Sequence, residues 1–259
     1  MNRTALETVR ILRAEKGDIS GQLIADRLGV SRAAVSKSVA GLRKIGFNIS
    51  SSTRVGYRLN AVPDIPSAEV LQSILTTNFM GHWIEYHESI DSTNNRAMEL
   101  AHKGAPEGSV VTAGSQTEGR ARNGGIWDSP SGKNLYISVI LTPDIPAERA
   151  QELEMLAIES LKKTVLQFAP DLSIRAEPDG LWSQGGKTGG VLCEVYGEVN
   201  RIQHLVAGIG LNVSHRGSSP ESLSLEYLTG KLFSRAELTA ALLTSLEKDY
   251  LKWKSDEQS

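Results

Sequence analysis

Within the first sixty residues the hydrophobic period changes once, from helical to alternating. That change confines the start of the chain to three short helices followed by a two-stranded hairpin. Thr4-Ala5-Leu6-Glu7 has capping-box spacing, and Leu6, Val9 and Leu12 or Arg13 recur at helical spacing up to Lys16, before Gly17. Ser20 is placed to cap a second helix whose apolar face is Leu23, Ile24 and Leu28. Gly29-Val30 makes a short turn, and Ser31 is placed to cap a third helix with Val35, Val39 and Leu42 inward, stopped by Gly46. Phe47 and Ile49 then alternate inward, Thr53-Arg54-Val55-Gly56 turns the chain, and Tyr57 and Leu59 alternate back.

The second helix, tight turn and third helix are in helix-turn-helix order, with the hairpin as a wing. Charge agrees. Residues 1–60 hold 11 Lys/Arg against 4 Asp/Glu, the remaining residues hold 17 against 26, and the whole chain nets -2. A basic head on an acidic body points to a polyanion partner for the head alone. Arg32, Ser36 and Lys37 fall on the outward face near the start of the third helix, where they can meet guanine edges or phosphates of operator DNA. Arg54, at the wing tip, is placed for a minor groove or a phosphate.

Residues 61–67, with Pro63 and Pro66, read as a linker between a winged head over 1–60 and a second domain over 68–259 that Ser67 opens with a short helix. Strands are expected at Trp83–His87, Ser109–Gly114, Leu135–Ile140, after Leu172, at Val191–Tyr196 and at His204–Leu211. Helices are expected at Thr93–His102, Ala147–Phe168 and Arg235–Trp253. This is an α/β (α+β) domain with a mixed sheet. The chain has 259 residues and 40% apolar content, enough for a core. No apolar stretch suits a signal or a membrane span, and Cys193 stands alone, so a cytoplasmic location without membrane contact is expected.

Four stretches of the second domain carry chemistry. Asp91-Ser92-Thr93-Asn94 opens a helix and by itself reads as a plain cap. Gln116 and Thr117-Glu118-Gly119-Arg120-Ala121-Arg122-Asn123-Gly124-Gly125-Ile126-Trp127 combine small residues with two arginines, as in a loop folding over an anion, or as in a plain surface loop. Gly185-Gly186-Lys187-Thr188-Gly189-Gly190 imitates a P-loop, but the required first glycine position holds Leu181 and no apolar strand precedes it. Lys187 is then a point charge at a strand edge, presented to a cleft or exposed on a hairpin. Gly208-Ile209-Gly210-Leu211-Asn212 is a glycine-spaced strand, marking a ligand's close approach or a β-bulge.

In order and spacing these stretches resemble the biotin–protein ligase family, in the form fused to a DNA-binding head as in the biotin operon repressors. The resemblance runs from Thr4 to about Trp253 and includes the wing ending Gly56-Tyr57-Arg58-Leu59. It implies that Ser92, Thr93 and Gln116 hold the ureido ring of biotin, with Asn94 among the ligand-binding residues. It implies that Gly119, Arg120, Arg122 and Trp127 close over biotinyl-AMP, that Lys187 grips the reacting carboxylate and phosphate with Asp179 and Gly190 beside it, and that Asn212 reads the adenine side. Lys187 and Arg122 are the expected catalytic groups. Biotin and ATP with Mg²⁺ are the implied small molecules, and no metal is expected on protein ligands. Operator DNA, a biotin carboxyl carrier protein and a second copy of the chain are the implied partners.

Three departures stand out. Ala121, Asn123 and Gly125 replace a glycine and two arginines of the family's loop. Arg175-Ala176-Glu177-Pro178-Asp179 stands for Lys-Trp-Pro-Asn-Asp, keeping the aspartate in register. The family usually ends in a small β-barrel, whereas this sequence ends shortly after its last helix. Slow ATP binding and transfer are therefore expected. The sequence leaves open an active ligase and a ligase-inactive regulator that senses biotin or a related acyl-adenylate. A lipoate-transferase relative fits Gln116 beside the Gly-Arg loop less well.

Overall fold

A computed structural model describes residues 1–52, 55–198, 200–217, 219 and 221–257. The chain divides into two compact units, Met1–Ile65 with Glu69–Ile74, and Pro66–Ala68 with Leu75–Ser259.

The first unit contains α1 (Arg3–Glu15), α2 (Gly21–Leu28), α3 (Arg32–Lys44) and an antiparallel hairpin of β1 (Asn48–Ser52) and β2 (Gly56–Ala61). Ser20 and Ser31 cap α2 and α3, accepting from the amides of Leu23 and Ala34. The cap of α1 is Asn2, not Thr4. Asn2 Oδ1 accepts from Ala5 N at 2.8 Å, whereas the Thr4 carbonyl serves the Thr8 hydroxyl inside the helix. Val9, Leu12, Ile24, Val35, Val39, Leu42, Phe47 and Ile49 form the core. Leu23 departs from its expected inward place: it is exposed, and Ala25 is buried instead. Helix α4 (Ala68–Ile74) was expected to open the second domain, but its residues from Glu69 belong to the first unit. The reason is at its end, where Arg10 and Arg13 donate to the carbonyls of Gln72 and Ile74, groups a helix terminus leaves unpaired. Arg54 lies outside the described residues.

The second unit is built on a seven-stranded sheet. Its strands are β3 (Ile84–His87), β4 (Val110–Ala113), β5 (Leu135–Leu141), β6 (Arg175–Glu177), β7 (Gly180–Ser183), β8 (Gly186–Glu198) and β9 (Arg201–Leu211). They lie in the order β3-β4-β5-β9-β8-β7-β6, with β3 and β4 parallel and the other pairs antiparallel. Helix α5 (Thr93–His102) packs on β4, β5 and β9 through Ala97, Leu100 and Ala101 against Val111, Ile140 and Val206. Helix α6 (Ala150–Phe168) packs on β6 to β9 and on the long α8 (Arg235–Glu257). The expected helix from Ala147 begins with a 3-10 turn over Ala147–Arg149. A short α7 (Leu225–Thr229), capped by Ser224, was not anticipated. No helix among the described residues is long and apolar enough to cross a membrane.

The strand register sets the site. Tyr136, Gly210 and Gly190 align across β5, β9 and β8, and Ser138, Gly208 and Leu192 form the next such row. Directly paired residues share a face, so glycines open a hollow in the middle of the sheet.

Candidate active site and DNA-contact surface

The turn into α5 forms one wall of a cleft over that hollow. Ser92 occupies the cap position in extended conformation, yet its side chain makes no capping hydrogen bond. Thr93 donates to Gln116 Oε1 through its amide at 2.8 Å and its hydroxyl at 3.0 Å. Gln116 Nε2 donates to Ser129 Oγ at 3.1 Å, which leaves its second amide hydrogen for another partner. Ser138 Oγ lies 2.6 Å from Asn94 Oδ1, and Asn94 Nδ2 donates to Glu194 at 2.7 Å. A Cβ on Gly208 would stand 2.1 Å from Asn94 Oδ1. The pairing of β9 is regular here, so its glycines mark close approach rather than a bulge.

The Gly119–Trp127 segment is a small hairpin. Trp127 N donates to Gly119 O, Ala121 N donates to Gly125 O, and Arg120 and Ile126 form a bridge. Asn123 (φ 57°) and Gly124 (φ 73°) both take the left-handed conformation at its tip. Asn-Gly is the favoured pair for such a turn. The Trp127 indole lies in the glycine hollow: a Cβ on Gly210 would fall 2.4 Å from it and one on Gly190 2.9 Å. Its Nε1–H is buried and has no hydrogen-bond partner among the described residues. In this conformation the cleft's open volume is about 40 Å³, room for a few waters.

Three cations reach the cleft, each paired with a carboxylate. Arg120 meets Glu194 at 2.6 and 2.9 Å. Arg122 pairs with Glu154 of α6, with its Nε 3.2 Å from Oε1, and donates from Nη1 to the Pro178 carbonyl at 2.6 Å. Lys187 Nζ lies 2.9 Å from Asp179 Oδ2, and Trp182 Nε1 donates to Asp179 Oδ1 at 2.9 Å. Burial raises the Asp179 carboxyl, but the Lys187 and Trp182 hydrogen bonds outweigh it and hold the group below its ordinary value. Lys187 is the second residue of β8, just after the Gln184-Gly185 turn, both of whose residues have positive φ. Among the described residues no cluster of three or more His, Cys, Asp or Glu is arranged to hold a metal.

Of the residues singled out from the sequence, Ser92, Thr93, Asn94, Gln116, Arg120, Arg122, Trp127, Asp179, Lys187 and Gly190 line this one cleft. Gly119 and Asn212 do not. Gly119 backs the loop, where a Cβ would strike the Trp127 carbonyl at 2.4 Å. Asn212 is buried behind Lys187, accepting from Asn134 at 3.2 Å and donating to the Lys187 carbonyl at 3.4 Å. Tyr136 and Leu192 also line the cleft and were missed. They are apolar or half-apolar strand residues whose sequence signal is that of any core position. Glu154 was missed for the same reason, since it stands within an ordinary helical stripe.

On the first unit, Arg32, Ser36 and Lys37 are exposed on α3. Among the described residues no carboxylate pairs with Arg32 or Lys37, whereas Arg10, Arg27 and Arg58 are each held by one.

Two family models match the chain: a helix–turn–helix domain over residues 4–58, and the biotin/lipoate A/B protein ligase family over residues 86–212. The bifunctional ligase/repressor BirA of Bacillus subtilis (strain 168) is 36% identical over 238 residues, covering 90% of this chain and 73% of that protein. This chain belongs to the biotin–protein ligase family, in its repressor-fused form. The bifunctional ligase/repressor of Escherichia coli (strain K12) is 26% identical over 231 residues, 88% of this chain and 70% of that protein. The biotin protein ligase of Aquifex aeolicus, solved in complex with biotin and ATP, superimposes with a TM-score of 0.56 at 26% identity, over 67% of this chain and 72% of that one. The mixed-sheet biotin/lipoate ligase-like fold expected from the sequence is therefore the fold of the second unit. Within the biotin–protein ligase family, the residues by which this chain departs have structural counterparts here: Asn123 makes the loop's turn, and Pro178 supplies the carbonyl that receives Arg122.

Proposed function

We propose that this protein is a repressor of operator DNA and a biotin–protein ligase, which binds biotin, activates it with ATP and passes it to a lysine of a biotin carboxyl carrier protein. The observation that carries this reading is the meeting of two chemistries in one cleft. Neutral donors and acceptors of Ser92, Thr93 and Gln116 suit a cyclic urea, whose polar atoms must not be buried unpaired. Arg120, Arg122 and Lys187 suit a carboxylate and phosphates. The unpartnered Trp127 Nε1–H in the hollow offers one further donor.

In the first step the biotin carboxylate oxygen attacks the α-phosphorus of ATP and pyrophosphate leaves, giving biotinyl-AMP. Two anions must approach, and Lys187 and Arg122 offset their repulsion and the charge that develops at phosphorus. Mg²⁺ enters with ATP as part of the substrate. In the second step the carrier's lysine amine attacks the acyl carbon and AMP leaves. Asn94, Gly190 and Asp179 keep their places as cleft residues, with Asp179 aiming Lys187. Gly119 and Asn212 act from behind, shaping the loop and the Lys187 strand. The head, with Arg32, Ser36, Lys37 and Arg54, contacts a two-fold operator as part of a homodimer, in the cytoplasm. The assignment of residues 1–60, 61–67 and 68–259 to head, linker and ligase portion belongs to the same reading.

The test is pyrophosphate release from biotin, ATP and Mg²⁺, with transfer to a carrier followed in parallel. Lys187→Ala should lower adenylation by roughly 10²–10³-fold, the usual effect of losing one such donor. Operator binding that responds to biotin, with no pyrophosphate released by the unaltered protein, would establish a sensor and remove the ligase reading.

A further inference from the structure

We infer that Glu154 is a positioning residue that fixes two of the cleft's cations, Arg122 and Lys187, from behind. It stands on α6 in line with Ala157, Ile158, Leu161 and Val165, all buried, and is itself 6% exposed. That helical stripe calls for an apolar side chain. A carboxylate there is strongly unfavourable unless paired and hydrogen-bonded.

Among the described residues, Glu154 accepts three hydrogen bonds from two residues. Two come from the Nε and one terminal amino group of Arg122. The third comes from the Cys193 amide, 3.4 Å from Oε1. That amide is available because β7 pairs with β8 only as far as Gly189, which leaves the outer edge of β8 without a strand beyond it. Burial, and then the Glu154 charge, push the Cys193 thiol up.

Arg122 therefore has its guanidinium held on two sides, by Glu154 and by the Pro178 carbonyl at 2.6 Å. A guanidinium has five N–H groups, so one remains on each terminal nitrogen of a side chain that lines the cleft. Pro178 immediately precedes Asp179, which holds Lys187 at 2.9 Å. One carboxylate thus sets the hairpin arginine and, through the turn it grips, the lysine. Glu154 does not line the cleft and touches no reacting atom, so its contribution is preorganisation of donors. The Asn123-Gly124 turn assists by presenting Arg122 from a defined hairpin.

This inference rests on the ligase reading for its kinetic consequence but not for its structural one, so two measurements are needed. In the full-length protein without biotin or ATP, trypsin cleavage after Arg120 and Arg122, followed by mass spectrometry, reports how firmly the hairpin is held. Glu154→Gln should speed that cleavage about tenfold or more. Glu154→Leu, which suits the apolar stripe, should do the same and serves if the glutamine variant does not fold. In the adenylation assay either folded variant should lower kcat about tenfold, because Arg122 offsets charge that develops at phosphorus, with KM for biotin within about twofold. Glu154→Asp should recover part of the loss. Unchanged cleavage in a folded variant overturns the inference, as does an unchanged kcat. If the unaltered protein releases no pyrophosphate, the ligase reading fails and the cleavage measurement alone decides Glu154.

Discussion

A single methyl group at Gly210 would lie 2.4 Å from the Trp127 indole, a distance no pair of carbons tolerates. Overpacking of this kind typically costs about 1–3 kcal/mol, or is relieved by moving the neighbour. Here the neighbour is held by a hairpin and not by the sheet, so it is the neighbour that moves. Gly210→Ala should shift tryptophan emission to the red without biotin or ATP, while far-ultraviolet circular dichroism stays unchanged. Emission and melting temperature both identical to those of the unaltered protein would show that the indole does not sit in the hollow. Three more tryptophans contribute to emission, so the comparison is made in a Trp83→Phe, Trp182→Phe, Trp253→Phe background.

Among the elements, α3 is the one we propose to carry the interaction with DNA. Arg32 and Lys37 are exposed and unpaired among the described carboxylates, so their full charge is available to phosphates. Each lost phosphate contact should reduce the slope of log affinity against log salt by about 0.9. The full-length Arg32→Ala/Lys37→Ala protein should thus bind operator DNA with a slope smaller by about 2, which gel shifts at several salt concentrations would measure. An unchanged slope would place the contact elsewhere. This helix was legible in the sequence because its cap, period and stop agree: Ser31, then Val35, Val39 and Leu42, then Gly46. Helix α5 was legible to the residue for similar reasons. Thr4 was misread because a capping-box pattern also occurs within the first turn of a helix already capped by Asn2. Leu23 was misread because α2 is two turns long and its period fits more than one face. The hairpin nature of the 119–127 loop was legible in Asn123-Gly124 but hidden by the surrounding glycines, which suggest flexibility. The pairing of Arg122 with Glu154, 32 residues apart, has no local signal at all.

Over the molecule as a whole, pH acts through groups that the fold keeps uncharged. His204 lies on β9 beside His102 and Tyr196, with its Nδ1 buried and without a partner. Burial, and then the charge of His102, hold its imidazole below the ordinary 6.5. The unfolded chain therefore takes up this proton first as pH falls, so stability declines below about pH 6.5 until the folded value is passed. Melting temperatures between pH 7.5 and 5 should fall, and His204→Phe should flatten part of that slope. A variant with the same slope would exclude His204 as its source.

The row of small residues at Gly190, Gly208 and Gly210 runs through β8 and β9, in the interior of the sheet. Glycine within a strand forgoes side-chain packing and costs roughly 0.5–1 kcal/mol against alanine. Yet any larger side chain there would displace Trp127 or Asn94. The same positions thus face two opposed demands, a firmer sheet and an open hollow, and the glycines here serve the hollow. Gains in stability have to accumulate on helix faces and loop surfaces instead, where most substitutions leave the cleft untouched.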